Sequence, residues 1–325
     1  MTYDEPPVQA PVIQMLDLAL SAALLLAPAQ EATPAPVERE PLARVVVIGA
    51  SVSAGAGSAA PLEVRRDVGL GTFLAATYAA APEAPPAPTD LGSTYFFMKP
   101  RANGAKQVAG AREAEATVVV ALDFLFWYVF GETSRNDPRR ARGLEEGLRE
   151  LEKLECPIVL GDLPNIEHAL TGVGPFGGPL VHRGMFPTER ERRAMNERIA
   201  AWAKERGRVA IVPLSDLLAH MKDGGTTELR GSSWTIDEIG DALQKDRLHP
   251  TVLGTSWVTL HIADALIELE LATPERFRWD GTAVAARARE LTEPERARKR
   301  EFDARKAARR KAREERQKRA SGDGG

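Results

Sequence analysis

The chain has 325 residues with 43% hydrophobic and 27% charged, the balance of a globular protein, and its single cysteine, Cys156, excludes an internal disulfide and a cysteine-based zinc site. No apolar run reaches the roughly 18–20 residues that a membrane span needs. The net charge of −3 is unevenly spread, because residues 291–320 hold 13 Lys and Arg against 6 Asp and Glu. This segment therefore carries a net charge of +7 and the rest of the chain about −10. Because the total charge is near neutral, the chain is not expected to bind nucleic acid.

Residues 1–40 do not have the pattern of a folded domain. An apolar run ends at Ala27 and is followed by Pro28-Ala29, which completes an Ala-x-Ala pattern, and then by a stretch rich in Pro, Ala and Glu. This layout is typical of an export signal, although no basic residue precedes the run and Asp17 lies inside it. The two interpretations are an export signal, which predicts a secreted or periplasmic protein, and a disordered linker, which leaves a cytoplasmic one.

From Ala43 onward, apolar strand patterns alternate with helical patterns. Expected strands are Arg44–Ile48, Thr117–Leu122, Pro157–Leu160 and Val209–Val212; expected helices are Gly69–Ala80, Pro100–Ala116, Pro138–Leu154, Thr188–Arg206 and Thr251–Leu271. Residues 84–90 are rich in proline and are expected to form a loop. This alternation predicts right-handed crossovers and an α/β fold, a three-layer α/β/α sandwich around a parallel sheet of about five strands.

The chain divides into residues 1–40, a domain over residues 41–275 and a charged tail over residues 276–325. From residue 282 the tail has little apolar content besides Phe302, so it is not expected to bury a stable face. It is interpreted as a solvated helical or disordered segment, or alternatively as a basic arm that contacts an acidic polymer or membrane surface.

Two short segments carry groups that can perform chemistry. Ser51 lies in a turn of small residues directly after the first strand, at the sheet edge where active sites of parallel sheets lie. Asp246 and His249 are three residues apart, just before the last helix of the domain. A carboxylate that fixes the tautomer of an imidazole, and an imidazole that accepts the proton of a serine, together form a nucleophilic site.

These segments resemble the SGNH (GDSL-type) hydrolase family, whose members are mostly esterases, lipases and carbohydrate O-deacetylases. The family's first block, Gly-Asp-Ser-Leu-Ser, reads here as residues 49–53 (GASVS), and its last block, Asp-x-x-His-Pro, as residues 246–250 (DRLHP). Residues 195–203 and 209–216 also resemble the helix and strand before that last block. The resemblance covers residues 44–266, and it implies Ser51 as nucleophile, His249 as base and Asp246 as the carboxylate that orients His249.

The middle blocks depart from the family pattern. The family's oxyanion hole uses the serine N–H, a glycine N–H and an Asn side chain; Asp123 stands where that Asn is expected, and Ala50 replaces the Asp before the serine. A protonated Asp123 would still donate a hydrogen bond, and Asn136 or Asn165 are alternative donors from neighbouring loops. Gly92 is preferred to Gly110 as the glycine, because Gly110 leaves too few residues for a crossover before the next strand.

Three further features have two interpretations each. Residues 124–130 (FLFWYVF) either line an acyl or sugar pocket or pack in the core, and Asp162 is either a site residue or a turn carboxylate. Residues 172–185 either form a substrate loop or an ordinary surface loop. No cofactor is expected, and no metal site, since the histidines show no ligand spacing.

Together the residues predict a serine hydrolase that cleaves O-acyl esters of carbohydrate or lipid through an acyl-serine intermediate. The alternative is a catalytically weakened or inactive member of the same fold that acts as a carbohydrate-binding or assembly module. The missing Asn and the missing Asp favour this alternative, whereas the coincidence of both terminal blocks favours the enzyme.

Overall fold

The computed structural model describes residues 40–79, 84–131 and 137–322. A segment of four Val and Ile residues after Arg44 forms the first strand, because β-branched side chains favour a pleated surface that is buried on both faces. The strands are β1 (Val45–Val47), β2 (Thr89–Asp90), β3 (Val118–Ala121), β4 (Ile158–Gly161), β5 (Val209–Val212), β6 (Gly225–Leu229) and β7 (Ser232–Ile236).

The helices of the first half are α1 (Leu70–Thr77), α2 (Pro100–Glu113), α3 (Phe126–Val129) and α4 (Arg139–Leu151). Those of the second half are α5 (Glu189–Arg206), α6 (Leu214–Asp223), α7 (Ile239–Ala242), α8 (Val252–Glu268), α9 (Gly281–Leu291) and α10 (Glu293–Gly322). Each helix expected from the sequence is present within a few residues of its expected ends. The expected charged tail therefore contains two helices, α9 and α10.

The first five strands form one parallel sheet in the order β2-β1-β3-β4-β5. Alternate residues of β1 point to opposite faces: Val45 and Val47 belong to a core with α1, α6, α8 and α9, and Val46 belongs to a core with α2, α4 and α5. The sheet is thus covered by helices on both sides. The expected three-layer α/β/α sandwich with a five-stranded parallel sheet is confirmed.

Several elements were not expected from the sequence. The proline-rich segment ends in β2, whose two residues pair with β1 at the sheet edge, where proline before the strand removes no needed ladder bond. Residues 214–223 form α6, and β6 and β7 form an antiparallel hairpin whose Trp234 stacks on Trp257 of α8. The hairpin's remaining side chains are largely exposed, which leaves a weak apolar pattern in the sequence.

The charged tail begins later than expected. Helix α9 buries Val284 and Ala288 completely against the core formed with α1 and α8, so the expectation that the segment from residue 282 buries no face is wrong for this helix. In α10, the described side chains are mostly exposed. Arg296 pairs with Glu63 at 2.6 Å and Arg65 lies over the Phe302 ring at 4.2 Å, and these contacts hold its first turns on the body.

Candidate active site

Four of the candidate residues from the sequence lie at the carboxyl edge of the sheet. Ser51 follows β1, Gly92 follows β2, Asp123 follows β3 and Asp162 follows β4. The segment with Asp246 and His249 enters from the connection between α7 and α8. Ser51 lines a cavity that is also lined by Leu248 and Pro250, the two neighbours of His249. The topology therefore brings both terminal blocks to the same place.

The turn that carries Ser51, residues 49–53, is held by Asp123. The Asp123 carboxylate accepts hydrogen bonds from the backbone N–H of Ala50 and Val52, both at 2.8 Å, and from the Ser53 hydroxyl at 2.6 Å. The N–H of Ser53 lies within 3.4 Å of the same carboxylate. Both carboxylate oxygens are therefore occupied as acceptors by groups that flank Ser51.

Gln107 of α2 holds the start of this turn from the other side. Its buried side-chain amide accepts from the N–H of Gly49 at 2.8 Å and donates to the carbonyl of Gly49 at 2.9 Å. Gly49 has a φ of 144°, and a Cβ there would overlap the Asp123 carboxylate and the Ser53 hydroxyl. Sequence reasoning missed Gln107, because no local signal marks a glutamine 58 residues away from the turn that it binds.

The environment of Asp123 sets its chemistry. Complete burial raises the pKa of this carboxyl group, while the hydrogen bonds from Ser53, Ala50 and Val52 act against that shift. Both oxygens of the Asp123 side chain accept hydrogen bonds from the turn that carries Ser51, so this side chain anchors the turn. The position therefore supplies no N–H donor of the kind that an Asn would bring.

The second half of the site is a local turn around Asp246. One carboxylate oxygen accepts from the backbone N–H of Leu248 at 2.9 Å and of His249 at 3.0 Å, and the other lies 2.8 Å from His249 Nδ1. Arg247 between them adopts a φ of 55°, the left-handed conformation that closes the turn. Burial raises the pKa of Asp246, but hydrogen bonding and charge interaction with His249 outweigh burial, so the pKa lies below its ordinary value.

The other ring nitrogen of His249 is available. Its Nε2 atom is buried and has no hydrogen-bond partner among the described residues, and the side chain is 10% exposed. The Ser51 hydroxyl is not hydrogen-bonded to it in this structure. With Nδ1 directed at a carboxylate, Nε2 is the atom that can accept a proton.

The structure separates the two glycine candidates. Gly92 packs so closely on the turn that a Cβ would lie 2.9 Å from the Ala54 N and 3.1 Å from the Ser53 Cβ, whereas Gly110 lies inside α2. The backbone N–H groups of Ser51 and Gly92 donate to no described residue, although the neighbouring Leu91 and Ser93 do donate to β1 and to Gly49. Two unoccupied donors therefore exist next to the nucleophile position.

Asn165, one of the two alternative side-chain donors, does not line the cavity at Ser51. Asn165 accepts from the N–H of Glu167 at 2.9 Å and lines a different pocket from the one at Ser51, while Asn136 lies outside the described residues. Asp162 lines the cavity at Ser51, and its carboxylate also accepts from the N–H of Ser215 at 2.7 Å, at the start of α6. Burial raises the pKa of Asp162, and hydrogen bonds from Ser215 act against it.

The loop of residues 172–185 packs against the histidine turn. A Cβ on Gly172 would overlap the carbonyl of Asp246, and the N–H of Val173 donates to Lys245 at 2.8 Å. At the loop tip Phe176 is 97% exposed. In the aromatic segment, Phe124 is buried in the core, whereas Phe126 lines the cavity at Ser51.

Within the described ranges, no three His, Cys, Asp or Glu side chains cluster in a way that could hold a metal ion. A search of the helices in the same ranges finds none with the length and apolar character that a membrane crossing requires.

Comparisons with known proteins add the following. No protein-family model matches the chain, and no curated protein sequence matches it. Among solved structures, a lipase/acylhydrolase from Enterococcus faecalis is similar with a TM-score of 0.46 at 11% identity, covering 73% of this chain and 97% of that one. TesA is similar with a TM-score of 0.44 at 15% identity, covering 70% and 99%.

Proposed function

We propose that the chain is a serine hydrolase that cleaves O-acyl esters of carbohydrate or lipid through an acyl-Ser51 intermediate. The observation that carries the proposal is the buried Asp246–His249 pair, whose free Nε2 atom lies in the turn that borders the Ser51 cavity. A buried imidazole with one nitrogen on a carboxylate and the other unoccupied is suited to move a proton.

In the proposed reaction, the Ser51 hydroxyl oxygen attacks the ester carbonyl carbon and His249 Nε2 takes the hydroxyl proton. The carbonyl π electrons move to the oxygen, which faces the N–H groups of Ser51 and Gly92. The C–O bond to the alcohol then breaks, and the alcohol leaves with the proton from His249. Water repeats the sequence on the acyl-serine, which releases the acid and restores Ser51.

Asp246 has a positioning role in this scheme. Its carboxylate fixes the Nδ1–H tautomer and stabilises the imidazolium that forms when Nε2 is protonated. Asp123 holds the serine turn and contributes no donor to the oxyanion. Because loss of one side-chain donor costs about 100- to 1,000-fold in rate, the chain is expected to be a slower enzyme than one with an Asn at this position.

The test is hydrolysis of a small aryl acetate by the full chain, by Ser51→Ala and by His249→Ala. We expect both variants to lose at least about 1,000-fold in kcat/KM, with circular dichroism unchanged. Labelling by a fluorophosphonate provides a second readout, expected on wild type and absent in Ser51→Ala. Equal rates and no labelling in all three proteins contradict the proposal.

A second candidate is a binding or assembly module with this fold. The observation that favours it is Asp123, which replaces an oxyanion donor with a carboxylate whose oxygens are already occupied. Binding of an acylated oligosaccharide that is equal in wild type and His249→Ala, without turnover in either, would support this candidate over the enzyme.

A further inference from the structure

The cavity next to Ser51 extends away from the nucleophile into the apolar layer between the sheet and α6 and α8. Ser51 and Val52 lie at one side, and the interior is lined by Leu217 and Met221 of α6 and Val258 of α8. The rest of its lining comes from other residues of α6, from α3, from the segments at the ends of β3 and β4, and from the segment between α7 and α8.

The two carboxylates of this lining already accept hydrogen bonds from the protein. The Asp123 oxygens accept from the serine turn, and Asp162 accepts from Ser215. No Lys or Arg is present in the lining, so no charged side chain in it would bind an anionic group. What the cavity offers is contact with aliphatic side chains, among them the buried core residues Leu217, Met221 and Val258. Its chemistry therefore suits a neutral hydrocarbon group.

The size of the cavity limits what it can hold. Its volume is about 70 Å³. A buried apolar cavity of about 150 Å³ holds a benzene molecule, and a water molecule occupies about 30 Å³ of liquid. A space of roughly half the benzene cavity therefore accommodates about three carbon atoms, and a longer chain would have to displace packed core side chains.

We propose that this cavity is the acyl pocket and restricts the enzyme to short, uncharged acyl groups of about two to four carbons. This inference rests on the proposed function. It adds the acyl specificity and names Met221, at the interior of the cavity, as a residue that sets the chain length.

The test compares 4-nitrophenyl acetate, butyrate, octanoate and hemisuccinate as substrates of the full chain, with Ser51→Ala as the background. We expect kcat/KM for octanoate and for hemisuccinate to lie at least about 100-fold below that for butyrate, since a methylene that does not fit a pocket costs about 10- to 200-fold. Met221→Ala removes three heavy atoms from the cavity wall. It should raise the octanoate-to-butyrate ratio about 10-fold or more.

Met195→Ala is the matched control, because Met195 is a buried methionine of α5 that does not line the cavity. It should leave the ratio unchanged while costing similar stability. If Met221→Ala does not fold, the chain-length and charge profile of the wild type still decides the matter.

The outcomes separate this inference from the proposed function. Hydrolysis that depends on Ser51 but is flat or rising from acetate to octanoate overturns the acyl pocket and leaves the hydrolase intact. The same conclusion follows if Met221→Ala and Met195→Ala give one profile. Rates that Ser51→Ala does not lower for any ester overturn both.

Discussion

The two halves of the candidate site are built in different ways. The histidine turn is local: Asp246 binds the backbone and the ring of His249, three residues away. The serine turn depends on distant parts of the chain, because Gln107 and Asp123 lie 58 and 70–73 residues from the groups that they bind. The hydrogen bonds of the histidine turn therefore lie within one short segment, while those of the serine turn form only once the sheet and α2 have assembled.

This difference implies different consequences of mutation. A change in the histidine turn should affect the proton transfer and leave the fold intact, because the described hydrogen bonds of the Asp246 side chain all lie within its own turn. A change at Asp123 or Gln107 should affect the fold first and the chemistry through it. The following predictions test that division.

The largest effect is expected for Asp246→Asn. The remaining amide oxygen can still accept from the backbone N–H groups of Leu248 and His249, but the negative charge beside Nδ1 is lost. We expect kcat for an aryl acetate to fall about 1,000- to 10,000-fold, because the wrong tautomer of His249 is no longer disfavoured. The free energy of unfolding, from urea titration, should change by less than about 1 kcal/mol.

Asp241→Asn is the control for this prediction. Asp241 also accepts a backbone hydrogen bond within its own segment, from the N–H of Glu238 at 3.0 Å, but it lies outside the site. It should retain full activity. Retention of more than a tenth of wild-type activity by Asp246→Asn would show that the pair is structural.

How far the sequence could reveal the site follows the same division. Ser51, Asp246 and His249 are recognisable because each lies in a short segment whose neighbouring residues complete a motif. The parallel sheet is predicted by the strand and helix periodicity. The anchoring role of Asp123 is not visible in the sequence, where the position suggests an oxyanion donor, because its partners come from another strand's turn. Gln107 is invisible for the same reason, and β2 because two residues after a proline run give no periodic signal.

The next largest effect is expected for Asp123→Asn. The amide nitrogen cannot accept a hydrogen bond, so at least one buried or partly buried donor of the serine turn loses its partner. We expect the free energy of unfolding to fall by about 1–3 kcal/mol, with kcat falling as the turn loosens. Urea titration and aryl acetate hydrolysis measure the two effects.

Asp162→Asn is the matched control, since Asp162 also follows a strand and lines the cavity but accepts from Ser215 alone among backbone donors. It should cost less stability than Asp123→Asn. An increase in kcat for Asp123→Asn at unchanged stability would mean that position 123 belongs to the oxyanion hole and does not anchor the turn.

A smaller effect is expected for Gln107→Leu. The substitution conserves approximate volume but leaves the N–H and carbonyl of Gly49 without their partner. We expect a loss of about 1–2 kcal/mol in the free energy of unfolding. Asn103→Ala on the same helix is the control, because Asn103 also binds backbone carbonyls, those of Tyr95 and Phe96, at 3.1 and 3.2 Å, away from Gly49. If fluorophosphonate labels Gln107→Leu at the wild-type rate, Gln107 does not affect the reactivity of Ser51.

The smallest effect distinguishes the two turns by the sign of their pH dependence. The folded-state pKa of Asp246 is lowered, so its contribution to stability is present above the ordinary carboxyl pKa and is lost as the pH falls toward the lowered value. The folded-state pKa of Asp123 is raised by burial, so its contribution is present below the ordinary pKa and is lost as the pH rises toward the raised value. Urea titrations over a pH series should therefore show the stability advantage of wild type over Asp246→Asn shrinking on acidification, and that over Asp123→Asn shrinking as the pH rises. Two differences with the same sign would contradict the opposite directions in which the folded state shifts the pKa of Asp246 and of Asp123.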